Sequence, residues 1–395
     1  MLQGAIALPI LLSFWKPTSV HTAAAILTCL GFFLSLWIVV PAPIFALLPL
    51  SVGAPELSPW LAVLNLVASG LSIRRKSQLL IVGSTIALLL SLLPLMQFPT
   101  AHDRAESAFE AAFAQAMPPD RVGSILNVFS GVPIPPVRHT AAIEFARPDG
   151  VPLHLEVYRP PQTGRYPAIV AIYGGAWQRG EPSDNADFNR YMAARGYVVW
   201  AIDYRHAPQY HFPAQLEDVQ TALQFIRQHA AEYETDSERI ALVGRSAGAH
   251  LAMLAAYAPN APPIRAVVNY YGPVDLTAGY AEPPRPDPID TRAVLEAFLG
   301  GTPAQLADRY RQASPYQFVT RSNLPPTLLI YGSRDHIVQA KFGRALAERL
   351  RSLKVPTVMI EIPWSEHVFD AVFRGLGNQI ALEYSDRFLA ATLQP

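Results

Sequence analysis

The chain has 395 residues, 51% of them hydrophobic, and its 31 basic side chains balance 31 acidic ones. That balance removes the basic surplus a nucleic-acid partner requires, and the single cysteine, Cys29, excludes an intrachain disulfide or a cysteine-built metal site. The length leaves room for two or three domains.

The charges are unevenly placed. Residues 1–101 carry only Lys16, Glu56, Arg74, Arg75 and Lys76, and every other charge follows them. Residues 22–40 form an uncharged apolar run of 19 residues. At about 1.5 Å per residue, such a run is long enough to cross a hydrocarbon core of about 30 Å. Residues 57–73 and 77–101 are two further uncharged runs. Residues 1–101 are therefore expected to form an α-helical transmembrane region with about three spans, near 22–40, 57–73 and 79–98. The cluster Arg74, Arg75 and Lys76 places the connection between the second and third spans in the cytoplasm, and Lys16 before the first span agrees. Everything after the third span is then expected on the extracytoplasmic side.

Residues 102–137 read as a junction. An amphipathic connector helix is expected over 102–117, with Phe109 and Phe113 on one face, ended by Pro118-Pro119. Residues 118–137 have the Pro and Gly content of a linker.

From 138 to 395 the chain alternates strand and helix patterns. Strands are expected at 141–146, 153–158, 168–173, 197–202, 240–243, 264–271, 327–331 and 357–362. Helices are expected at 186–195, 213–229, after residue 246, and at 338–352 and 379–393. Continuously apolar strands alternating with helices predict a mostly parallel, doubly wound α/β sheet, with its chemistry at the carboxyl ends of the strands. Residues 276–323 interrupt the rhythm with Pro283, Pro284, Pro286 and Pro288 and a helix near 291–299, and are read as a cap-like insertion or a surface excursion.

The motifs fall at strand ends. After strand 168–173 comes Tyr173-Gly174-Gly175-Ala176-Trp177. Consecutive glycines let backbone N–H groups face a ligand, so Gly174 and Gly175 are candidate oxyanion donors and Trp177 a candidate substrate-binding residue. The segment Gly244-Arg245-Ser246-Ala247-Gly248 joins an apolar strand to the helix-favouring run that follows. Strand, tight turn with a serine at its tip, then helix is a nucleophile elbow, with the Ala247 N–H as a further oxyanion donor. A serine hydroxyl needs a base, and the base needs an acid to orient it. Asp335 and His367 follow the strands 327–331 and 357–362 in the chain order Ser, acid, His. Asp275 is a rival acid. Glu366 is expected to point away, His336 sits too near Asp335 along the chain to turn back on it, His250 reads as a packing or capping residue, and His206 and His211 lie in a loop bordering the pocket.

Beyond these motifs, Asp203-Tyr204-Arg205-His206-Ala207-Pro208 and the helix after it are similar to the Tyr-Arg-Leu-Ala-Pro-Glu segment of the hormone-sensitive-lipase-like esterases and related carboxylesterases. Tyr173 to Trp177 resembles their His-Gly-Gly-Gly segment, with Tyr173 in place of the histidine and Ala176 in place of the last glycine. The resemblance covers about 138–393. It implies an α/β-hydrolase fold and a serine hydrolase of carboxylic esters, with Ser246, His367 and Asp335 as triad and Gly174, Gly175 and Ala247 as oxyanion hole. It implies no metal or organic cofactor, and a small-molecule or lipid ester as substrate. An arylformamidase-like amidase, a cell-surface acyltransferase and a catalytically silent binding protein remain alternatives, and the oligomeric state is open.

Overall fold

The computed structural model describes residues 17–113 and 125–393. Lys16, Pro118 and Pro119 lie outside the described residues. The amino-terminal part is helical: α1 (Pro17–Leu36), a 3-10 turn (Phe45–Leu47), α2 (Leu48–Glu56), α3 (Ser58–Arg74) and α4 (Gln78–Ala112). Helices α1, α3 and α4 pack on one another as a bundle. Helix α1 ends four residues before the expected limit of the first span, because Pro41 and Pro43 follow, and the residue before a proline is driven out of the helical region. At Leu57 the chain bends by 79° between α2 and α3.

The bundle is polar inside and apolar outside. Ala24, Ala68 and Ala87 let the helices approach, and Ser35, Asn65, Ser72, Ser84 and Ser91 are buried among them. The Asn65 amide donates to Ser35 Oγ at 2.9 Å and to Ser91 Oγ at 3.3 Å. Leu79, Leu66 and Ile26 are 83%, 61% and 59% exposed on the outside. Among the described residues, α4 is the one unbroken helix long and apolar enough to cross a membrane.

Helix α4 runs for 35 residues, so the expected third span and connector are one element. The change of composition near residue 102 marks a change of surroundings and not a break in the backbone. Ala101, Ala105 and Phe109, four apart on one face, are buried in the core of the following domain. There Glu106 pairs with Arg387 at 2.7 Å, and His102 lies 3.1 Å from Glu383. The region expected as a linker contains a short helix, α5 (Ile125–Ser130), whose Val128 carbonyl accepts from Trp60 Nε1 at 3.0 Å.

The second part holds an eight-stranded sheet in the order β1-β2-β4-β3-β5-β6-β7-β8. Its strands are β1 (Arg138–Ala146), β2 (Leu153–Arg159), β3 (Tyr166–Ile172), β4 (Val198–Ile202), β5 (Thr235–Arg245), β6 (Ala266–Tyr270), β7 (Thr327–Gly332) and β8 (Thr357–Ile362). The β1–β2 and β2–β4 pairs are antiparallel and all others parallel. Strands β3 to β7 are buried along nearly their whole length because helices cover both faces. These are α6 (Ala186–Ala194), α7 (Ala214–Gln228), α8 (Ala247–Tyr257), α12 (Ala340–Ser352) and α13 (Leu376–Leu393). The insertion carries α9 (Leu276–Ala281), α10 (Thr291–Leu299) and α11 (Ala307–Gln312). Register aligns Ile172 with Gly244 and Asn269, and Gly332 with Ile362, and all five lie at the carboxyl ends of parallel strands, so the loops after β3, β5, β6, β7 and β8 converge.

Phe109 is fully buried between Phe113 and Tyr384, with the Arg387 guanidinium over its ring. Phe109→Ala is expected to remove about 3–5 kcal/mol of stability and to lower the melting temperature of the full chain. Leu79→Ala, at a site 83% exposed, is expected to leave that temperature unchanged.

Candidate active site

Strand β5 ends at Arg245, and the chain turns into α8 at Ser246 with φ 50° and ψ −119°. A non-glycine residue at positive φ is strained, and here packing fixes it. A Cβ on Gly244 would strike the backbone of Gly248 and Ala249, and one on Gly248 would strike the carbonyls of Ile172 and Tyr173. The two flanking glycines therefore let strand, turn and helix pack at backbone contact distance. The Ser246 N–H donates to the Tyr270 carbonyl at 2.9 Å, which ties the turn to β6.

His367 Nε2 lies 3.0 Å from Ser246 Oγ, and His367 Nδ1 lies 2.8 Å from Asp335 Oδ2. With the imidazole proton on Nδ1 facing the carboxylate, Nε2 is free to accept the serine hydroxyl. The other Asp335 oxygen accepts the N–H groups of Ile337 at 2.9 Å and Val338 at 2.7 Å. The structure thus brings Ser246, His367 and Asp335 into one hydrogen-bonded row. The rival Asp275 instead caps α9, accepting from the Ala278 N–H at 3.0 Å.

Gly174 stands against the turn: a Cβ there would sit 2.9 Å from the Arg245 carbonyl and 3.2 Å from Ser246 Cβ. Gly175 has φ 124°, a conformation that favours glycine. Among the described residues, the N–H groups of Gly174, Gly175 and Ala247 have no hydrogen-bond partner. They border the same cavity as Ser246 or lie next to it in the chain. Trp177 lines that cavity too, and it also packs: its ring stacks on Phe298 at 4.1 Å and its Nε1–H donates to His250 Nδ1 at 3.2 Å. His250 passes its Nε2–H to the Ala313 carbonyl at 2.6 Å, and burial pushes its pKa down to about 4. It is a neutral packing residue. His206 Nε2 is 2.9 Å from the Tyr173 hydroxyl, which itself donates to Asp203. Tyr173 thus occupies a closed polar network. His211 is exposed.

One expectation about the loop after β8 changes. Glu366 does not point away. It is buried and accepts from the N–H groups of His336 at 2.6 Å and His367 at 2.9 Å, while His336 Nδ1 lies 2.6 Å from its second oxygen. His336 turns toward Glu366 because the two loops meet side by side at the ends of β7 and β8.

Four side chains escaped sequence reasoning: Arg245, Asp370, Tyr271 and Glu56. Arg245, the variable residue before the serine, is buried between the rings of Phe188 and Tyr270, with its guanidinium 4.3 and 4.8 Å from their centroids. It pairs with Asp370, which also takes the Tyr271 hydroxyl. Burial, reinforced by the Asp370 charge, holds the Tyr271 phenol far above its ordinary pKa, so it remains a donor. Glu56 comes from α2. It is fully buried and accepts from Ser365 Oγ at 2.5 Å and from the Gly377 N–H at 2.7 Å. One signal was present: Glu56 is the sole acidic residue in the first 101.

The row faces a cavity of about 830 Å³, within the range of ligand pockets. One wall comes from the insertion, including Leu276, Gly279, Val294 and Leu295. Another comes from the amino-terminal helices, through Phe45, Leu48, Pro49, Val52 and Gly53.

Residues 155–350 match the BD-FAE family model. The chain is 32% identical over 256 residues to the probable carboxylic ester hydrolase LipM of Mycobacterium tuberculosis, covering 60% of this chain and 58% of that protein. It is 35% identical over 235 residues to esterase LipC of the same organism, covering 55% of this chain and 57% of that protein. The match thus spans less than two thirds of the length of these relatives. Among solved structures, Thermogutta terrifontis esterase 2 phosphonylated by sarin is 27% identical, with TM-score 0.55, over 67% of this chain and 98% of that one. Sheet order and this likeness together give the second part of the chain the α/β-hydrolase fold.

Glu56→Ala leaves Ser365 Oγ and the Gly377 N–H buried without a partner. It is expected to cost about 1–3 kcal/mol, read as a lower melting temperature, with Glu56→Gln losing less because one amide oxygen remains.

Proposed function

We propose that the chain is a membrane-anchored serine hydrolase of carboxylic esters. The observation that carries the reading is the hydrogen-bonded row, Ser246 Oγ to His367 Nε2 at 3.0 Å and His367 Nδ1 to Asp335 at 2.8 Å. His367 takes the hydroxyl proton as Ser246 Oγ bonds to the acyl carbon. The free N–H groups of Gly174, Gly175 and Ala247 receive the negative charge that develops on the carbonyl oxygen. His367 then gives the proton to the alcohol oxygen, the carbon–oxygen bond breaks, and the acyl group stays on the serine. Water repeats the sequence: His367 takes its proton, hydroxyl bonds to the acyl carbon, and the acid leaves as Ser246 regains its proton. Asp335 keeps the imidazole in the tautomer this requires and stabilises the imidazolium. The named activities of the relatives support ester over amide as the scissile bond.

The inside-out bundle supports the membrane reading. Small and polar side chains glue transmembrane helices together, while lipid-facing surfaces are apolar. Contiguous exposed apolar surface on this scale is rare on proteins surrounded by water. Arg74, Arg75 and Lys76 lie between α3 and α4, at the opposite end of the bundle from the attachment of α4 to the hydrolase domain. With that basic cluster in the cytoplasm, the hydrolase domain faces the extracytoplasmic side.

Ser246→Ala is expected to abolish hydrolysis of p-nitrophenyl acetate and labelling by a fluorophosphonate probe. Asp335→Asn is expected to lower kcat by about 10⁴. Unchanged rates in Ser246→Ala would rule the reading out. The full chain is expected to stay in the membrane pellet after alkaline carbonate washing. A reporter active only in the cytoplasm, fused at the carboxyl terminus, is expected to be silent.

A further inference from the structure

The cavity above Ser246 is a joint product of the two parts of the chain. Helix α2 and the turn before it supply Phe45, Leu48, Pro49, Val52 and Gly53, and the hydrolase domain faces them with Val294, Ile337 and Phe342. Leu48 and Val52 are four apart on α2, so they present one apolar face, which packs with Ile337. Both ends of the α1–α3 connection are bonded to the loops that carry the row: Arg334, next to Asp335, donates to the Val39 carbonyl at 2.7 Å, and Glu56 takes Ser365 Oγ at 2.5 Å. Helix α2 is thus a fixed wall. Ile44 and Phe45, at its outer rim, are 55% and 47% exposed. On either side, α1 and α3 continue into the apolar outer surface of the bundle.

We propose that the substrate is an ester with a long hydrocarbon tail drawn from the lipid bilayer, the tail lying along α2. The inference rests on the hydrolase reading and adds a substrate class and an entry route to it. Apart from the Arg179 guanidinium, which lies over the outer Phe45 ring at 4.6 Å, this wall is apolar, and an apolar wall gains free energy from each methylene it takes out of water. A short acyl group leaves this wall unfilled. With the bundle in the bilayer, a tail that passes from the lipid to this wall moves between two apolar surroundings. Gly53 is the place to test this, because a Cβ there meets nothing within 4 Å. A larger side chain enters the cavity without displacing the backbone.

The test uses the purified full chain in lipid nanodiscs with p-nitrophenyl acetate and p-nitrophenyl dodecanoate. The wild type is expected to favour dodecanoate over acetate in kcat/KM by about tenfold or more, and Gly53→Phe to lower that ratio by about tenfold. Fluorophosphonate labelling of Ser246 verifies that the variant is folded, and Gly53→Leu replaces it if labelling is lost. Dodecanoate placed in the enzyme's own nanodisc is expected to be consumed faster than the same amount supplied in separate vesicles. A wild type that favours acetate, or a ratio unmoved by both Gly53 variants, overturns the tail site. Equal rates from both sources overturn the bilayer route. Absence of hydrolysis of both esters together with absence of labelling would remove the hydrolase reading itself.

Discussion

The backbone at Ser246 is the constraint around which the second domain is arranged. A β-strand and an α-helix on one sheet cannot be joined within a single residue unless that residue leaves the ordinary regions of φ and ψ. Here φ is 50°, and the distortion is held by contacts that allow no side chain at Gly244 or Gly248. The same contacts bring the ends of β3 and β5 together, which puts Gly174 against the serine. The exposed turn at Ser246 and the free N–H groups beside it are therefore consequences of one packing arrangement.

The histidine depends on a different set of forces. A loop must present the His367 ring at hydrogen-bond distance from both neighbours, and loops alone are mobile. This one is fastened on both sides of the ring. Ser365 is held by Glu56, Glu366 binds the backbone of the acid loop, and Asp370 pairs with Arg245 and Tyr271. Arg245 immediately precedes Ser246 in sequence, so this pair ties the Ser246 turn and the His367 loop to each other. A buried ion pair contributes little net stability after desolvation, but its geometry is costly to vary. That suits a group whose task is to fix an angle.

Much of this was legible in the residues. The strands of the hydrolase sheet announced themselves as buried apolar runs, and the row Ser246, Asp335, His367 followed from strand ends and chain order. The boundaries of α4 did not, because hydropathy reports the surroundings of a helix and not its continuity. Glu366 was misjudged because turn geometry was considered for its own loop alone, while two of its three bonds go to His336 of the neighbouring loop. Glu56 was out of reach for a related reason: its partners, Ser365 and Gly377, lie 309 and 321 residues away. Nothing local marks such a contact except the oddity of a lone acid in an apolar region.

Helix α4 explains how a segment so far from Ser246 in sequence can line the cavity beside it. The amino-terminal half of α4 carries exposed leucines, and its carboxyl-terminal half feeds Ala101, Ala105 and Phe109 into the hydrolase core. A flexible joint between the halves would let the hydrolase domain rotate over the bundle and would scatter the position of α2 relative to Ser246. One continuous helix removes that freedom, and the bonds at Val39 and Glu56 fix the remaining rotation. Three attachments spread across two parts of the chain define a rigid relation. A cavity wall needs that rigidity, because the binding free energy available from an apolar surface is lost if the surface must first be ordered. The seating of the apolar amino-terminal region on the hydrolase domain thus determines the shape of the space in front of Ser246.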